Sequence, residues 1–100
     1  MILSWAATVG DNTSHGTPLY PGPGSPNVLI SGKPVWRASI DSHTCPLSDP
    51  GPKPHVGGVV LKGSLTVLIN GYSVARCGDD IVEAGISNRI ITGSPTVLIG

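Results

Sequence analysis

The sequence predicts an all-β fold of three related strand–turn units with internal pseudo-threefold symmetry and very little helix. Two observations predict it. A block of residues recurs along the chain, and 14 Gly and 10 Pro in 100 residues interrupt every apolar run. No apolar pattern with the 3.6-residue period of an amphipathic helix survives at that density. The segment around Asp79 to Ala84 is the only place where the sequence would allow a short helix.

The recurring block defines the three units. GSPNVLISGKPVWR (24–37) and GSLTVLINGYSVAR (63–76) share 8 of 14 residues, and GSPTVLIG (93–100) repeats the first part. The first two copies predict a strand, a tight turn that needs Gly, and a second short strand. Because successive side chains of a strand point to opposite faces, Val and Ile of each Val-Leu-Ile segment should point one way and Leu the other. A generic β-sandwich or barrel with strands alike by chance is the alternative, but composition alone seldom gives blocks this similar.

A second, weaker repetition accompanies the first. AATVGD (6–11) echoes VARCGD (74–79), and VWRASID (35–41) resembles both loosely. In this alignment Cys77 takes the position of Val9 and Ala38, which are plain apolar residues. We therefore expect Cys77 to be neither a metal ligand nor part of a disulfide.

Composition limits the classes of protein. One hundred residues suffice for a single domain, residues 1–100, with a modest core. The formal net charge is zero and no basic patch is visible, which argues against nucleic acid as a partner. The apolar runs are too short to span a membrane, and the first ten residues lack the positive region of a signal peptide. We expect folding in the cytoplasm, where thiols stay reduced.

The segment DSHTCPLSDPGPKPH (41–55) holds two of the three histidines, one cysteine and four prolines. Prolines lack the backbone N–H and fix φ, so we expect neither a helix nor a central strand here. The segment should be a loop inserted between the first and second units.

Four side chains are candidate ligands for one metal ion: His15, His43, Cys45 and His55. His43 and Cys45 are two residues apart, so an extended backbone places both on one face. Three imidazoles and a thiolate form a closed tetrahedral set that suits Zn²⁺ better than Mg²⁺ or Ca²⁺. Asp11 or Asp41 could orient one of the imidazoles.

Other interpretations stay open at this point. The histidines could be surface residues of polar loops while Cys45 is a buried apolar residue. Cys45 could also form a disulfide with Cys77. The spacing of the four candidates is not one of the strong zinc-binding patterns, so spacing alone does not decide between these interpretations.

Several motifs, in the same order, resemble the PAAR-repeat family, the spike-tip proteins of type VI secretion systems and contractile phage tails. The Pro-Ala-Ala-Arg motif reads Pro-Val-Trp-Arg at 34–37 and Ser-Val-Ala-Arg at 73–76. The family's Arg-x-Gly-Asp is kept at 76–79, whereas Ser39 replaces the Gly after Arg37. The resemblance also rests on GDNTSHG, where Thr replaces a second Gly, on Cys-Pro followed by His, and on GSPTVLIG. It spans nearly the whole chain.

The resemblance implies a short conical β-structure with a zinc ion near its point, held by three histidines and a cysteine. The matching positions are His15, His43, Cys45 and His55. It also implies a membrane-piercing tip, one copy of which caps and sharpens the trimeric β-helical spike of a contractile injection machine. Transient contact with the target envelope and docked effectors are further expected partners. Because the third block ends the chain at Gly100, we expect a bare tip delivered across the target envelope.

Two other classes of function were weighed. An enzyme would need an open metal position and a nearby base. Glu83, the only Glu, is far from the candidate ligands in sequence, and Ser14, His15 and Asp11 share a polar turn where capping roles are common. The second alternative is a small zinc-stabilised β-repeat binding module or adhesin without a spike, but four aromatics are too few for a sugar platform. We predict no catalytic residues and no small-molecule substrate, and we expect Trp36 to pack in a core or against the spike.

Overall fold

The computed structural model describes residues 4–49, 53–83 and 88–100, with the backbone alone at 45–49 and 53–56. Within these residues the chain forms strands and turns but no helix, which confirms the predicted all-β class. The strands are β1 (Ser4–Ala6), β2 (Pro21–Gly22), β3 (Leu29–Ile30), β4 (Lys33–Pro34), β5 (Ser42–Asp49), β6 (Lys53–Val60), β7 (Leu68–Ile69), β8 (Tyr72–Ser73), β9 (Asp80–Val82), β10 (Asn88–Arg89) and β11 (Ser94–Ile99).

The short helix that the sequence would allow around Asp79 to Ala84 does not form where the chain is described. Residues Asp80–Val82 form β9, in which Ile81 is buried and both neighbours are exposed, the alternation of a strand with one covered face. Ala84 lies outside the described residues. In the described part of the chain, no helix is long and apolar enough to cross a membrane.

Two of the repeated blocks form the predicted hairpins. Ile30 pairs with Lys33 and Ile69 with Tyr72, so each turn has two residues, Ser31–Gly32 in one and Asn70–Gly71 in the other. All four turn residues have positive φ, between 51° and 83°. This is the type I′ geometry whose twist matches that of the strands, and it explains the Gly at the second turn position.

The third block completes its unit with the start of the chain. β11 pairs antiparallel with β1, placing Ser4 opposite Ile99 and Trp5 opposite Leu98. The first and last described segments thus build one unit together. The weaker repetition at 6–11 therefore belongs to the same threefold pattern as the hairpins.

Three main-chain hydrogen bonds close a triangle at the centre of the three units. The N–H of Ala7 donates to the carbonyl of Ala75 (3.0 Å), Ala75 to Trp36 (2.9 Å), and Trp36 to Ala7 (2.9 Å). These residues stand at equivalent positions of the three weaker repeats, so the bonds are direct evidence for the predicted pseudo-threefold symmetry. Trp36 is 1% exposed, which confirms that it packs in the core.

The core consists of two clusters on the two sides of this triangle. One contains the triangle residues together with Leu19, Val60 and Ile90, all fully buried. In the other, the Val and Ile of each Val-Leu-Ile segment pack on a small apolar centre. The three intervening leucines are exposed, at 57% for Leu29, 63% for Leu68 and 55% for Leu98. The predicted alternation is confirmed in all three units.

The Pro-rich segment is not the predicted loop. β5 and β6 form a long hairpin within a five-stranded antiparallel sheet of order β10-β9-β6-β5-β2. β5 has neighbours on both sides only at Ser42 and His43, and β6 only at Val59. Pro46 and Pro54 lie beyond these positions. In the described chain β5 and β6 pair there only with each other, so each has one edge without hydrogen bonds to a further strand. Proline, which lacks the backbone N–H, is tolerated at such an edge.

Candidate metal centre

The carboxylate of Glu83 lies between two of the candidate ligands. Its Oε1 is 2.9 Å from Nδ1 of His15, and its Oε2 is 2.7 Å from Nε2 of His43. The Glu83 side chain is fully buried, and the two imidazoles are 9% and 1% exposed. The fold thus brings two predicted ligands together around a carboxylate that is remote from both in sequence.

The order of the sheet explains how Glu83 reaches His43. His43 of β5 pairs with Gly58 of β6, and Glu83 directly follows β9, the next strand of the sheet. A Cβ at Gly58 would lie 1.7 Å from the carbonyl oxygen of Val82 and 3.5 Å from Cα of Glu83. Only glycine leaves room for the chain to pass so closely, and this passage places Glu83 over β5.

Asn88, at the start of β10, ties the loop of His15 to Glu83. Its Oδ1 accepts hydrogen bonds from the main-chain N–H of His15 (3.2 Å) and from Oγ of Ser14 (2.9 Å). A main-chain N–H can only donate, so the other amide atom is Nδ2, which lies 3.5 Å from Oε2 of Glu83. Asn88 is 1% exposed. One buried amide thus connects the histidine loop with the carboxylate.

The buried carboxylate needs donors, because an isolated charge in a protein interior costs several kcal/mol. His43 supplies one through Nε2, and in a neutral imidazole the other nitrogen then carries a lone pair. That atom, Nδ1 of His43, is buried and has no hydrogen-bond partner in the described part of the chain. A buried lone pair on an imidazole whose opposite nitrogen bonds a carboxylate is the arrangement found in metal-ligating histidines. The residues therefore fit a zinc ion at this point.

The other two predicted ligands are placed only by their backbone. Cys45 lies two residues after His43 in β5 and pairs with Val56, so His55 is in the facing strand of the same hairpin. The register shifts after Cys45, where two residues of β5 oppose one of β6, a β-bulge. The side chains of Cys45 and His55 lie outside the described residues, and within those residues no group of three or more ligand-type side chains forms a metal site.

Neither Asp11 nor Asp41, which could have oriented an imidazole, contacts His15 or His43, the two histidines whose side chains the structure describes. Asp41 accepts from Arg37 and from the N–H of Gly24, and it is fully buried. Asp11 accepts from Thr8 and from Oγ1 of Thr92. Both carboxylates close the turns of the threefold units. The short distance to the histidines in sequence does not bring these carboxylates to His15 or His43, because each accepts hydrogen bonds from its own turn and from one further segment of the chain.

Glu83 is the residue that sequence reasoning missed. Its distance in sequence from the histidines was used to set it aside, yet it contacts both described ones. The one available signal was a single Glu directly after the apolar pair Ile81–Val82 in a chain with few charges. The pairing of β9 with β6, which decides the contact, cannot be read from that signal.

Ser14, His15 and Asp11 do not form a nucleophile–base–acid arrangement. The hydroxyl of Ser14 donates to Asn88, His15 bonds Glu83, and Asp11 bonds the threonines Thr8 and Thr92. The three side chains of this polar turn therefore serve different contacts.

Cys77 is a free cysteine, so the Cys45–Cys77 disulfide interpretation is wrong. Its main-chain N–H donates to the carbonyl of Trp5, as those of Val9 and Ala38 donate to Pro34 and Ser73 in the other units. Burial, with smaller contributions from Asp11 and Asp79, raises the pKa of the Cys77 thiol above its ordinary value. The equivalence that the sequence predicted for Cys77 is confirmed.

Comparison with protein-family models gives one match along two stretches of the chain. The model described as the PAAR motif matches residues 9–50 and residues 50–100, which together cover nearly the whole sequence. A search of curated proteins returned no match.

Proposed function

This chain belongs to the PAAR motif family, a family of spike tips, and from that premise we propose that it is a zinc-containing, membrane-piercing tip. In this proposal it caps and sharpens the trimeric β-helical central spike of a contractile injection machine, either a type VI secretion system or a phage tail. It contacts the target envelope transiently when it is driven across, and effectors can dock beside it.

The observation that carries the capping proposal is the triangle of hydrogen bonds among Ala7, Trp36 and Ala75. A single chain arranged about such a centre presents three similar faces, and a trimeric spike presents three identical ends. One copy can therefore satisfy three spike chains, whereas a chain without internal symmetry would match only one of them.

The exposed leucines supply the contact surface of this proposal. Leu29, Leu68 and Leu98 occupy the same position in the three units and are each more than half exposed. In this proposal each of the three equivalent leucines packs against one chain of the spike, which removes its apolar surface from water. The strands that contain these leucines, β3, β7 and β11, offer backbone edges that a β-helical spike can extend by strand addition.

The zinc proposal rests on the buried contacts around Glu83. His15, His43, Cys45 and His55 would hold the ion, which would supply a rigid link between the histidine loop and the β5–β6 hairpin. The protein residues provide the rest of the site. Glu83 and Asn88 bury the histidines and exclude water from them, and Gly58 allows the strands to approach. A structural rather than catalytic metal follows from a full set of four protein ligands.

Native mass spectrometry of the chain with its cognate trimeric spike tests the capping proposal. We expect one copy bound per three spike chains. A stable complex with three copies per trimer would contradict it, because three tips cannot share one point. Failure to bind at all would favour the free-standing binding module.

A substitution series tests the surface. The triple variant Leu29→Lys, Leu68→Lys, Leu98→Lys should lose the spike complex and keep its fold, since these side chains already face solvent. Leu61→Lys is the matched control, because Leu61 is 68% exposed and lies outside the three repeated blocks. Retained binding in the triple variant would show that the contact surface is elsewhere, and equal loss in both variants would show that the effect is not specific to the three leucines.

A further inference from the structure

Two contacts with Glu83 fix the orientation of the two histidines before any metal arrives. Glu83 forms a hydrogen bond with Nε2 of His43 (2.7 Å), and its other carboxylate oxygen lies 2.9 Å from Nδ1 of His15, the distance of an ion pair. The carboxylate thus takes a different ring nitrogen from each histidine. The Nδ1 of His43 is left buried and without a hydrogen-bond partner in the described part of the chain.

The geometry points to Glu83 as the positioning residue of the zinc site, which selects the ring nitrogen that each histidine presents to the metal. His43 binds through Nδ1 because Glu83 holds its Nε2–H, and His15 binds through Nε2 because Glu83 takes its Nδ1. This inference rests on the proposed zinc site and goes beyond it, since neither the spacing of the ligands nor the family match assigns a role to Glu83.

The contacts of Asn88 support this assignment. Its Nδ2 lies 3.4 Å from Nε2 of His43 and 3.5 Å from Oε2 of Glu83. An amide N–H and an imidazole N–H cannot bond each other, but both can donate to the same carboxylate oxygen. The 2.7 Å separation between His43 and Glu83 is the shorter contact, so the proton of His43 lies on Nε2 and faces the carboxylate. Nδ1 then keeps the lone pair.

The burial of the Glu83 carboxylate determines how much zinc affinity should be lost when this group is removed. The Glu83 side chain is fully buried, so water cannot replace its bonds to the two rings. Loss of a carboxylate that orients a ligating histidine typically weakens metal binding about 10–100-fold. A glutamine keeps the size of the side chain, but it has an oxygen in place of only one of the two carboxylate oxygens, so its NH₂ group faces the other ring.

The experiment measures zinc affinity by competition with a chromophoric chelator for the full chain, for Glu83→Gln and for Asp80→Asn. Asp80 is on β9, three residues before Glu83, and its side chain is 71% exposed, so this control removes the same charge without touching the site. We expect the affinity to fall about 10–100-fold in Glu83→Gln and to change less than about twofold in Asp80→Asn. Unchanged or tighter binding in Glu83→Gln would overturn the inference.

A second measurement needs no substitution and therefore holds even where Glu83→Gln does not fold. Long-range ¹H–¹⁵N spectra of the histidine-labelled, unsubstituted chain with zinc should show His43 protonated at Nε2 and metal-bound at Nδ1, and His15 with the reverse pattern. Zinc at Nε2 of His43 would overturn the inference and leave the proposed zinc tip standing. An unsubstituted chain that binds no zinc would instead overturn the zinc part of the proposed function, and the inference with it.

Discussion

Arg37 donates three hydrogen bonds to Asp41, from the main-chain N (2.7 Å), from Nε (3.1 Å) and from Nη2 (3.0 Å). Arg76 makes the same three contacts with Asp79 in the second unit. The two pairs differ in burial. The side chains of Arg37 and Asp41 are 8% and 0% exposed, whereas those of Arg76 and Asp79 are 21% and 10% exposed. The same contact is therefore more isolated from water in the first unit.

Asp41→Ala should destabilise the chain by about 3–5 kcal/mol, because it leaves a buried guanidinium without its partner. Asp79→Ala should cost only about 1–3 kcal/mol, since water can reach part of Arg76. Urea unfolding, with zinc removed from both samples by chelation, gives the two values. Equal losses would show that burial does not set the strength of these pairs.

Ser31→Asn should stabilise the chain by a few tenths to about 1 kcal/mol, because Ser31 has a φ of 51° and Asn tolerates the left-handed region better than Ser. The second hairpin already carries Asn70 at the equivalent position. Thermal unfolding measures the gain. Ser31→Val is the control and should lower the stability of the chain, because positive φ is unfavourable for a β-branched residue. Higher stability in both variants would show that φ at position 31 does not determine the effect.

Gly58→Ala should both destabilise the chain, by about 1–3 kcal/mol or more, and weaken zinc binding, because the new methyl group collides with the carbonyl of Val82. The collision moves the chain that carries Glu83 away from His43. Val59→Ala, at a half-buried neighbouring position, should reduce stability without changing zinc affinity. Full zinc affinity in a folded Gly58→Ala chain would show that the close approach is not needed.

Cys45→Ala should abolish stoichiometric zinc binding, whereas Cys77→Ala should keep one zinc per chain. The first change removes a proposed ligand, and the second removes a free thiol at a position that is apolar in the other two units. Metal analysis of the purified variants by mass spectrometry measures the content. If the two variants exchanged behaviours, the thiol ligand would be Cys77.

Alkylation of Cys77 should be slower in the folded chain than in urea at pH 8, because burial raises the pKa of its thiol and lowers the thiolate fraction. The same pKa shift makes the stability of the folded chain depend on pH. A raised folded pKa favours folding below the ordinary thiol pKa, and this contribution is lost as the pH rises through the folded value. Peptide mapping after iodoacetamide treatment from pH 7 to 11 gives the profile; equal rates in the folded and unfolded chains would contradict the shift.

The sequence by itself determined the repeated units. The Val-Leu-Ile alternation, the two-residue turns and the equivalence of Cys77 with Val9 follow from local rules, since each depends on the period of a strand or on the φ of a turn residue. His15 and His43 were recognisable as a set because of their residue type and the family motifs.

Only the tertiary structure decided which groups meet. Glu83 contacts His43 because β9 pairs with β6 and Gly58 leaves room between them, and none of this is local in sequence. The Pro-rich segment could become a hairpin because Pro46 and Pro54 fall where the described strands have an open edge, which is a property of the sheet and not of the segment. Asp11 and Asp41 are close to candidate ligands in sequence, yet both accept hydrogen bonds from residues of their own turns. Sequence proximity predicts the bonds of a turn, whereas the contacts of a buried site depend on the pairing of strands that are distant along the chain.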